Sequence, residues 1–118
     1  MACLPLFVDN HVRGPVIKAL RARGWDIVRA VDVFPGKNAD EELLEYAARE
    51  GRVFVTSDGG IHMIAHRWLK EGRCFRMVYW WAEHRRRMSD GEVASALERL
   101  AADPHAFDYP IQYIKPAD

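Results

Sequence analysis

Asp9, Asp40 and Asp58 are the residues of this chain best placed to do chemistry. Each stands where a strand should end or a helix should begin. Asp9 closes the apolar run Leu4-Pro5-Leu6-Phe7-Val8, Asp40 opens Asp40-Glu41-Glu42-Leu43-Leu44, and Asp58 follows Arg52-Val53-Phe54-Val55-Thr56-Ser57. In a parallel α/β sheet the carboxyl ends of the strands lie along one edge, and ligands bind in the crevice outside it. Acids far apart in sequence can meet there. Clustered carboxylates need a proton or a cation to coexist, so the pattern points to a divalent-metal site.

Each acid also has a plainer role open to it. Asp9 suits the turn after its strand. Asp40 suits a first helical turn, where the helix dipole favours a carboxylate by about 0.3–1 kcal/mol. Asp58 suits the N-cap of the helix that follows it. Glu41 reads as the capping-box partner of Asn38, and Glu42 as a neighbour of the ligands or part of a solvated face. His62 and His66 lie four apart on one helix face, a spacing that suits zinc. An HExxH site, however, needs Glu where this chain has Met63, so zinc hydrolysis is not expected. His62 lies one turn beyond Asp58, within reach of an acidic cleft.

The elements that must position these residues follow from hydrophobic spacing and punctuation. Leu4 to Val8 reads as a buried strand. Gly14-Pro15 introduces a helix carrying Val16, Ile17 and Leu20, stopped by Gly24. Trp25 to Arg29 is a second strand, and Phe34 to Lys37 a loop. Asn38 and Glu41 form the expected cap of a helix with Leu43, Leu44, Ala47 and Ala48 on its apolar face. Arg52 to Thr56 is short and almost wholly apolar, as a central parallel strand should be. A helix runs from Gly59-Gly60 through Ile61, Ile64, Ala65, Trp68 and Leu69 to Gly72, and Cys74 to Trp80 is a fourth strand. Arg85-Arg86-Arg87 reads as a basic loop, Ser89 and Glu92 as a capping box for the last helix, and Ile111 to Ile114 as a short edge strand. The alternating order predicts a mostly parallel central sheet with helices on both faces.

The chain has 118 residues, enough for one domain with a real core, here taken as residues 1–118. Hydrophobic residues make up 49% and charged residues 29%, which is ordinary globular composition. Lys plus Arg and Asp plus Glu both number 17. Attraction to nucleic acid must therefore come from a local basic patch and not from overall charge. No apolar run approaches a membrane span, and the first residues lack the order of a signal peptide. Cys3 and Cys74 are isolated, which argues against a disulfide scaffold or a structural zinc centre. A cytoplasmic location and no membrane partner are expected.

The segments that carry the acids resemble a known family. The strand ending in Asp9 is followed by Ala19-Leu20-Arg21-Ala22-Arg23-Gly24-Trp25-Asp26-Ile27-Val28. Next come Ala39-Asp40-Glu41-Glu42-Leu43-Leu44 and Ala47-Ala48-Arg49-Glu50-Gly51-Arg52-Val53-Phe54-Val55-Thr56-Ser57-Asp58. The run from Leu6 to Asp58 resembles the short bacterial PIN-like proteins, grouped as ribonuclease toxins of toxin–antitoxin pairs. The resemblance implies a PIN-like three-layer fold and Mg²⁺- or Mn²⁺-dependent cleavage of RNA. Asp9, Asp40 and Asp58 fall on the family's acids and are the implied metal ligands and catalytic residues. Mg²⁺ and Mn²⁺ are hard cations that favour carboxylate oxygen. Asn10, Thr56 and Ser57 would support the ligands from behind. An antitoxin protein is an implied partner.

Two positions depart from the family pattern. Relatives often carry an acid where this chain has Asn10, and another where it has Gly60. These departures motivate a second reading, a catalytically weakened module that binds protein or RNA. Receiver-like domains also end central strands in acids, but they pair two acids after the first strand and place a Lys after the last. Asn10 breaks that pair here, and no Lys follows the strand at Val78. Outside the matched stretch, Arg85, Arg86 and Arg87 with Trp80 and Trp81 combine charge and aromatic rings, a pairing that suits single-stranded RNA. A solvated loop beside packed tryptophans is the plainer alternative. The tryptophans also suit a homodimer or antitoxin interface, where aromatics and Arg are enriched.

Overall fold

A computed structural model of the chain describes residues 3–36 and 39–116. Among these residues five strands form one sheet: β1 (Leu6–Val8), β2 (Ile27–Arg29), β3 (Val53–Thr56), β4 (Arg76–Tyr79) and β5 (Ile111–Tyr113). Their order is β2-β1-β3-β4-β5, and every neighbouring pair is parallel. The sheet is therefore wholly parallel, with β5 at an edge.

Among the described residues six helices connect the strands: α1 (Gly14–Ala22), α2 (Ala30–Val33), α3 (Asp40–Arg49), α4 (Gly59–Glu71), α5 (Ala82–Arg87) and α6 (Asp90–Ala102). A short 3₁₀ turn, Ala106–Asp108, precedes β5. The strands alternate their side chains between two cores, as a pleated strand must. Leu6, Val8, Val53, Val55 and Val78 point to one face, where Val16, Ile17 and Leu20 of α1 pack with Val93, Ala96 and Leu97 of α6. Phe7, Phe54, Met77 and Tyr79 point to the other, against Leu44 and Ala47 of α3 and Ile61, Ala65 and Trp68 of α4. This is a three-layer α/β arrangement.

The chain runs outward from β1 to β2, then crosses back to β3 on the other side of β1. The gap between β1 and β3 is thus the point where the winding reverses, and at that point the loops leaving the two strands diverge to open a crevice. Asp9 follows β1 and Asp58 follows β3, so the topology sets the two acids on either side of the crevice. Several doubly wound folds share this strand order, so the order alone assigns no chemistry.

Most helix punctuation agrees with the sequence. Asp58 is the N-cap of α4, accepting from the amides of Gly60 (2.8 Å) and Ile61 (3.1 Å). Gly72 ends that helix in the left-handed region at φ 71°. Ser89 and Glu92 make the full capping box of α6.

Three expectations need correction. Asn38 lies outside the described residues, but the N-cap of α3 is Ala39, which has no capping side chain, and Glu41 is turned elsewhere. Its Oε2 accepts from Trp68 Nε1 at 2.9 Å and from Arg67, with Arg73 at 3.4 Å. Two guanidinium groups and an indole N–H on the neighbouring α4 side outcompete one backbone amide. Second, Arg85 to Arg87 do not lie in a loop. They form the last turn of α5, whose N-cap is Trp81, with Arg85 N–H bonded to the Trp81 carbonyl at 2.9 Å. Third, the two tryptophans part company: Trp80 is only 1% exposed, whereas Trp81 is 52% exposed. Only Trp81 can meet a partner.

Candidate functional site

Thr56, the last residue of β3, is fully buried and links the two acids across the crevice. Its hydroxyl donates to Asp9 Oδ2, and its Oγ1 accepts from the Asp58 amide at 3.0 Å. The Asp9 Oδ1 atom accepts from the His11 amide at 2.9 Å. The Asp9 carboxylate is thereby held in one orientation at the end of β1.

The third acid arrives from a different layer. Asp40 is the first residue of α3, and its Oδ2 points at Gly60, on the first turn of α4. A Cβ built on Gly60 would stand 2.9 Å from Asp40 Oδ2 and 3.1 Å from Asp58 Oδ1. The missing side chain is what lets these two carboxylates approach each other. Among the described residues no group donates a hydrogen bond to Asp40. Its pKa lies above the ordinary carboxylate value, because of burial first, then the charge of Asp58, then that of Asp9. The three acids therefore share one electrostatic neighbourhood. Among the described residues, however, no three His, Cys, Asp or Glu side chains are drawn close enough together to form a ready metal cage.

The supporting residues fall in different places. Ser57 is buried; it donates to the Trp80 carbonyl at 2.9 Å and accepts from Arg85 Nε at 3.3 Å. That hydrogen bond draws Arg85 to the rim of the crevice, while Arg86 and Arg87 remain exposed. Asn10 is exposed after β1 and, with Asp9, borders a cleft of about 200 Å³ walled by Ala30, Val31, Phe34 and Leu43. Glu42 is exposed on α3. Glu41 belongs to the arginine clasp described above, which holds its carboxyl below the ordinary range chiefly through Arg67. It is a link between α3 and α4, not part of the crevice.

Two features were not evident in the sequence. His11 lies with Nδ1 3.3 Å from Asp9 Oδ2. This close contact with the Asp9 carboxylate, and then the charge of Asp9, raises the imidazole pKa against the opposing effect of burial. The second feature is an aromatic cluster beside Asp58. The His62 ring lies flat on Tyr79, with centroids 4.0 Å apart and planes at 5°, and meets the edges of Trp81 and Tyr113 at 5.4 and 5.6 Å. Burial, then His66, lowers the His62 pKa; burial, then Asp58, raises that of Tyr79. Aromatic residues on β4 and β5 carry no sequence signal of this kind, since strand propensity alone explains them.

Such a crevice of acids at the strand ends, with a basic and aromatic rim, sits in a wholly parallel three-layer α/β fold. The sequence model of the family described as PIN like domain matches residues 5–68, a stretch that includes Asp9, Asp40 and Asp58. The chain belongs to the PIN-like domain family. No curated protein and no solved structure matches it. Among the described residues no helix is long and apolar enough to cross a membrane.

Proposed function

We propose that this protein is a Mg²⁺- or Mn²⁺-dependent ribonuclease of the PIN-like family, acting as the toxin of a toxin–antitoxin pair. The observation that carries the reading is the approach of Asp40 and Asp58 across the bare Cα of Gly60, with the field of Asp9 acting on the same group. Three carboxylates brought together from β1, α3 and β3 create a negative potential that a divalent cation relieves. Their donor set is all hard oxygen, which fits Mg²⁺ and Mn²⁺. Asp9, Asp40 and Asp58 would hold the ion.

Bound there, a divalent ion supplies a nucleophilic water at neutral pH and offsets the charge on the reacting phosphate. The protein supplies the rest. Thr56 fixes the orientation of Asp9, a task of the kind that outer-shell partners of metal ligands perform. Arg85 at the crevice rim, with Arg86 and Arg87 beside it, draws the phosphate backbone in, and exposed Trp81 offers a face for a base. These residues form a local attractive surface on a chain of zero net charge.

A second reading has its own support. Asp58 Oδ1 is already committed to two amides as a helix cap, and no three ligands form a closed cage among the described residues. On that reading the chain is a weakened PIN-like module that binds RNA, an antitoxin or a second copy without cutting.

One experiment separates the two. Purified protein is incubated with labelled single-stranded RNA in Mg²⁺, in Mn²⁺ and in chelator, alongside Asp9→Asn and Asp40→Asn. The nuclease reading expects metal-dependent cleavage that falls by at least about tenfold to a hundredfold in either variant, the range seen even for outer-shell partners of a metal. RNA binding with no cleavage above the Asp9→Asn background in either metal would leave the binding module standing.

A further inference from the structure

His62 and His66 occupy successive turns of α4 and present their Nε2 atoms to each other at 3.1 Å. The hydroxyl of Tyr113, on the edge strand β5, lies 2.8 Å from the same His62 Nε2. An imidazole nitrogen offers either one in-plane lone pair or one N–H, so it makes one directed hydrogen bond. Here two polar atoms converge on it. No choice of tautomers satisfies both neighbours well.

We propose that His62, His66 and Tyr113 form a binding site for a late first-row divalent cation of the Zn²⁺ class, separate from the carboxylate crevice. The distances carry it. Zn–N bonds are about 2.0–2.1 Å, so two nitrogens 3.1 Å apart subtend an angle of about 100° at a shared metal, close to tetrahedral. With both protons moved to Nδ1, both Nε2 lone pairs become available to one ion, and the Tyr113 hydroxyl, 2.8 Å from His62 Nε2, offers a third donor. Water completes the coordination.

The site is preorganised on rigid elements. The face of Tyr79 and the edge of Trp81 hold the His62 ring, which is 8% exposed. His66 is half-buried, and Tyr113 is 44% exposed, so an ion can reach the point of convergence from solvent. Imidazole donors favour Zn²⁺, Co²⁺, Ni²⁺ and Cu²⁺, whereas the all-carboxylate crevice favours Mg²⁺ and Mn²⁺. The two sites therefore select different ions. A metal bound here would tie α4, whose N-cap is Asp58, to the edge strand β5, and would hold the aromatic rim in one arrangement.

The test uses untagged full-length protein carrying Cys3→Ser and Cys74→Ser, because both cysteines are exposed thiols that bind such metals themselves. Co²⁺ is titrated in and followed by its visible ligand-field absorption, with Zn²⁺ as competitor. In excess Mg²⁺, which occupies the carboxylate crevice, the expected result is saturation at a single equivalent, displacement by Zn²⁺, and a higher melting temperature. His66→Ala should weaken binding by at least about tenfold, and Tyr113→Phe by less. In the same excess of Mg²⁺, Asp9→Asn should give the same Co²⁺ absorption with the same affinity as the parent, which separates this site from the carboxylates. His66→Gln, which keeps the bulk and polarity of the side chain, serves if His66→Ala is poorly folded by circular dichroism. Equal Co²⁺ affinity in the parent and the His66 variants, or no saturable binding at millimolar Co²⁺, would overturn the proposal.

Discussion

The buried hydroxyl of Thr56 donates to the carboxylate of Asp9, joining the ends of the two central strands. The same oxygen receives the amide of Asp58. Thr56→Val keeps the shape of the side chain and removes both bonds. It leaves one partly buried acceptor and one partly buried amide without a partner, together costing about 1–3 kcal/mol. Chemical denaturation should show a stability loss in that range. RNA cleavage should fall further than stability explains, because Asp9 loses its orientation.

Gly60 is the position to test for geometry. A Cβ there meets Asp40 Oδ2 at 2.9 Å, which no donor among the described residues holds, and Asp58 Oδ1 at 3.1 Å, which two amides of α4 hold as its cap. In Gly60→Ala the Asp40 side chain should therefore give way, so the variant should fold while the two carboxylates move apart. Mn²⁺-dependent stabilisation and cleavage should both drop. Unchanged cleavage in Gly60→Ala would remove the Asp40–Asp58 approach from the site.

Two adjacent acids should respond to pH in opposite directions. The Asp40 pKa is raised in the fold, by burial first, so ionising it favours the unfolded chain. That destabilisation is absent below its ordinary value of 3.8 and complete above its raised folded value. In chelator, Asp40→Asn should thus melt higher than the parent at neutral pH, with the gain fading towards low pH. Added Mn²⁺ should reverse the ranking. At a hundred times its dissociation constant a ligand stabilises the folded state by about 2.7 kcal/mol, and the variant should lose most of that response.

Glu41 carries the opposite sign. Its folded pKa is lowered, chiefly by the hydrogen bond from Arg67, so its contribution is present above its ordinary value of 4.5 and lost as pH falls through the lower folded value. Glu41→Gln should lower the melting temperature at neutral pH and narrow the gap to the parent in acid. Trp68, 1% exposed, depends on Glu41 for the acceptor of its indole N–H, so near-ultraviolet circular dichroism should report the change.

RNA binding separates stacking from charge. Trp81→Ala removes an exposed ring, and stacking on such a ring contributes about 1–3 kcal/mol per base, or roughly five- to 150-fold in affinity. Replacing Arg86 and Arg87 by Ala should instead weaken binding to all sequences alike. It should also flatten the salt dependence by about one unit of slope for each phosphate no longer neutralised. Fluorescence anisotropy at several salt concentrations distinguishes the two patterns. Affinity unchanged in both variants would place the RNA elsewhere.

Much of this architecture is local in origin and was therefore legible in the chain. The apolar runs ending at Val8 and Thr56, the cap at Asp58, the capping box of Ser89 and Glu92 and the stop at Gly72 each depend on residues a few positions apart. Their order implies a parallel sheet whose strand ends share an edge, and that alone brings Asp9 and Asp58 near each other. Other features arise between distant segments and have no local signature. Glu41 has the sequence context of a capping box, yet three groups from Arg67, Trp68 and Arg73 claim its carboxylate. Trp80 and Trp81 are neighbours in the chain, but one turns into the core and the other into solvent at the end of β4. Gly60 reads as a lost acid in sequence; in three dimensions it is the gap through which Asp40 and Asp58 face each other. The meeting of His62, His66 and Tyr113 likewise requires β5 to lie beside β4, a pairing set by the packing of the whole sheet. Short-range hydrogen bonding and hydrophobic period determine the elements; which side chains meet at their ends is decided by how the layers pack.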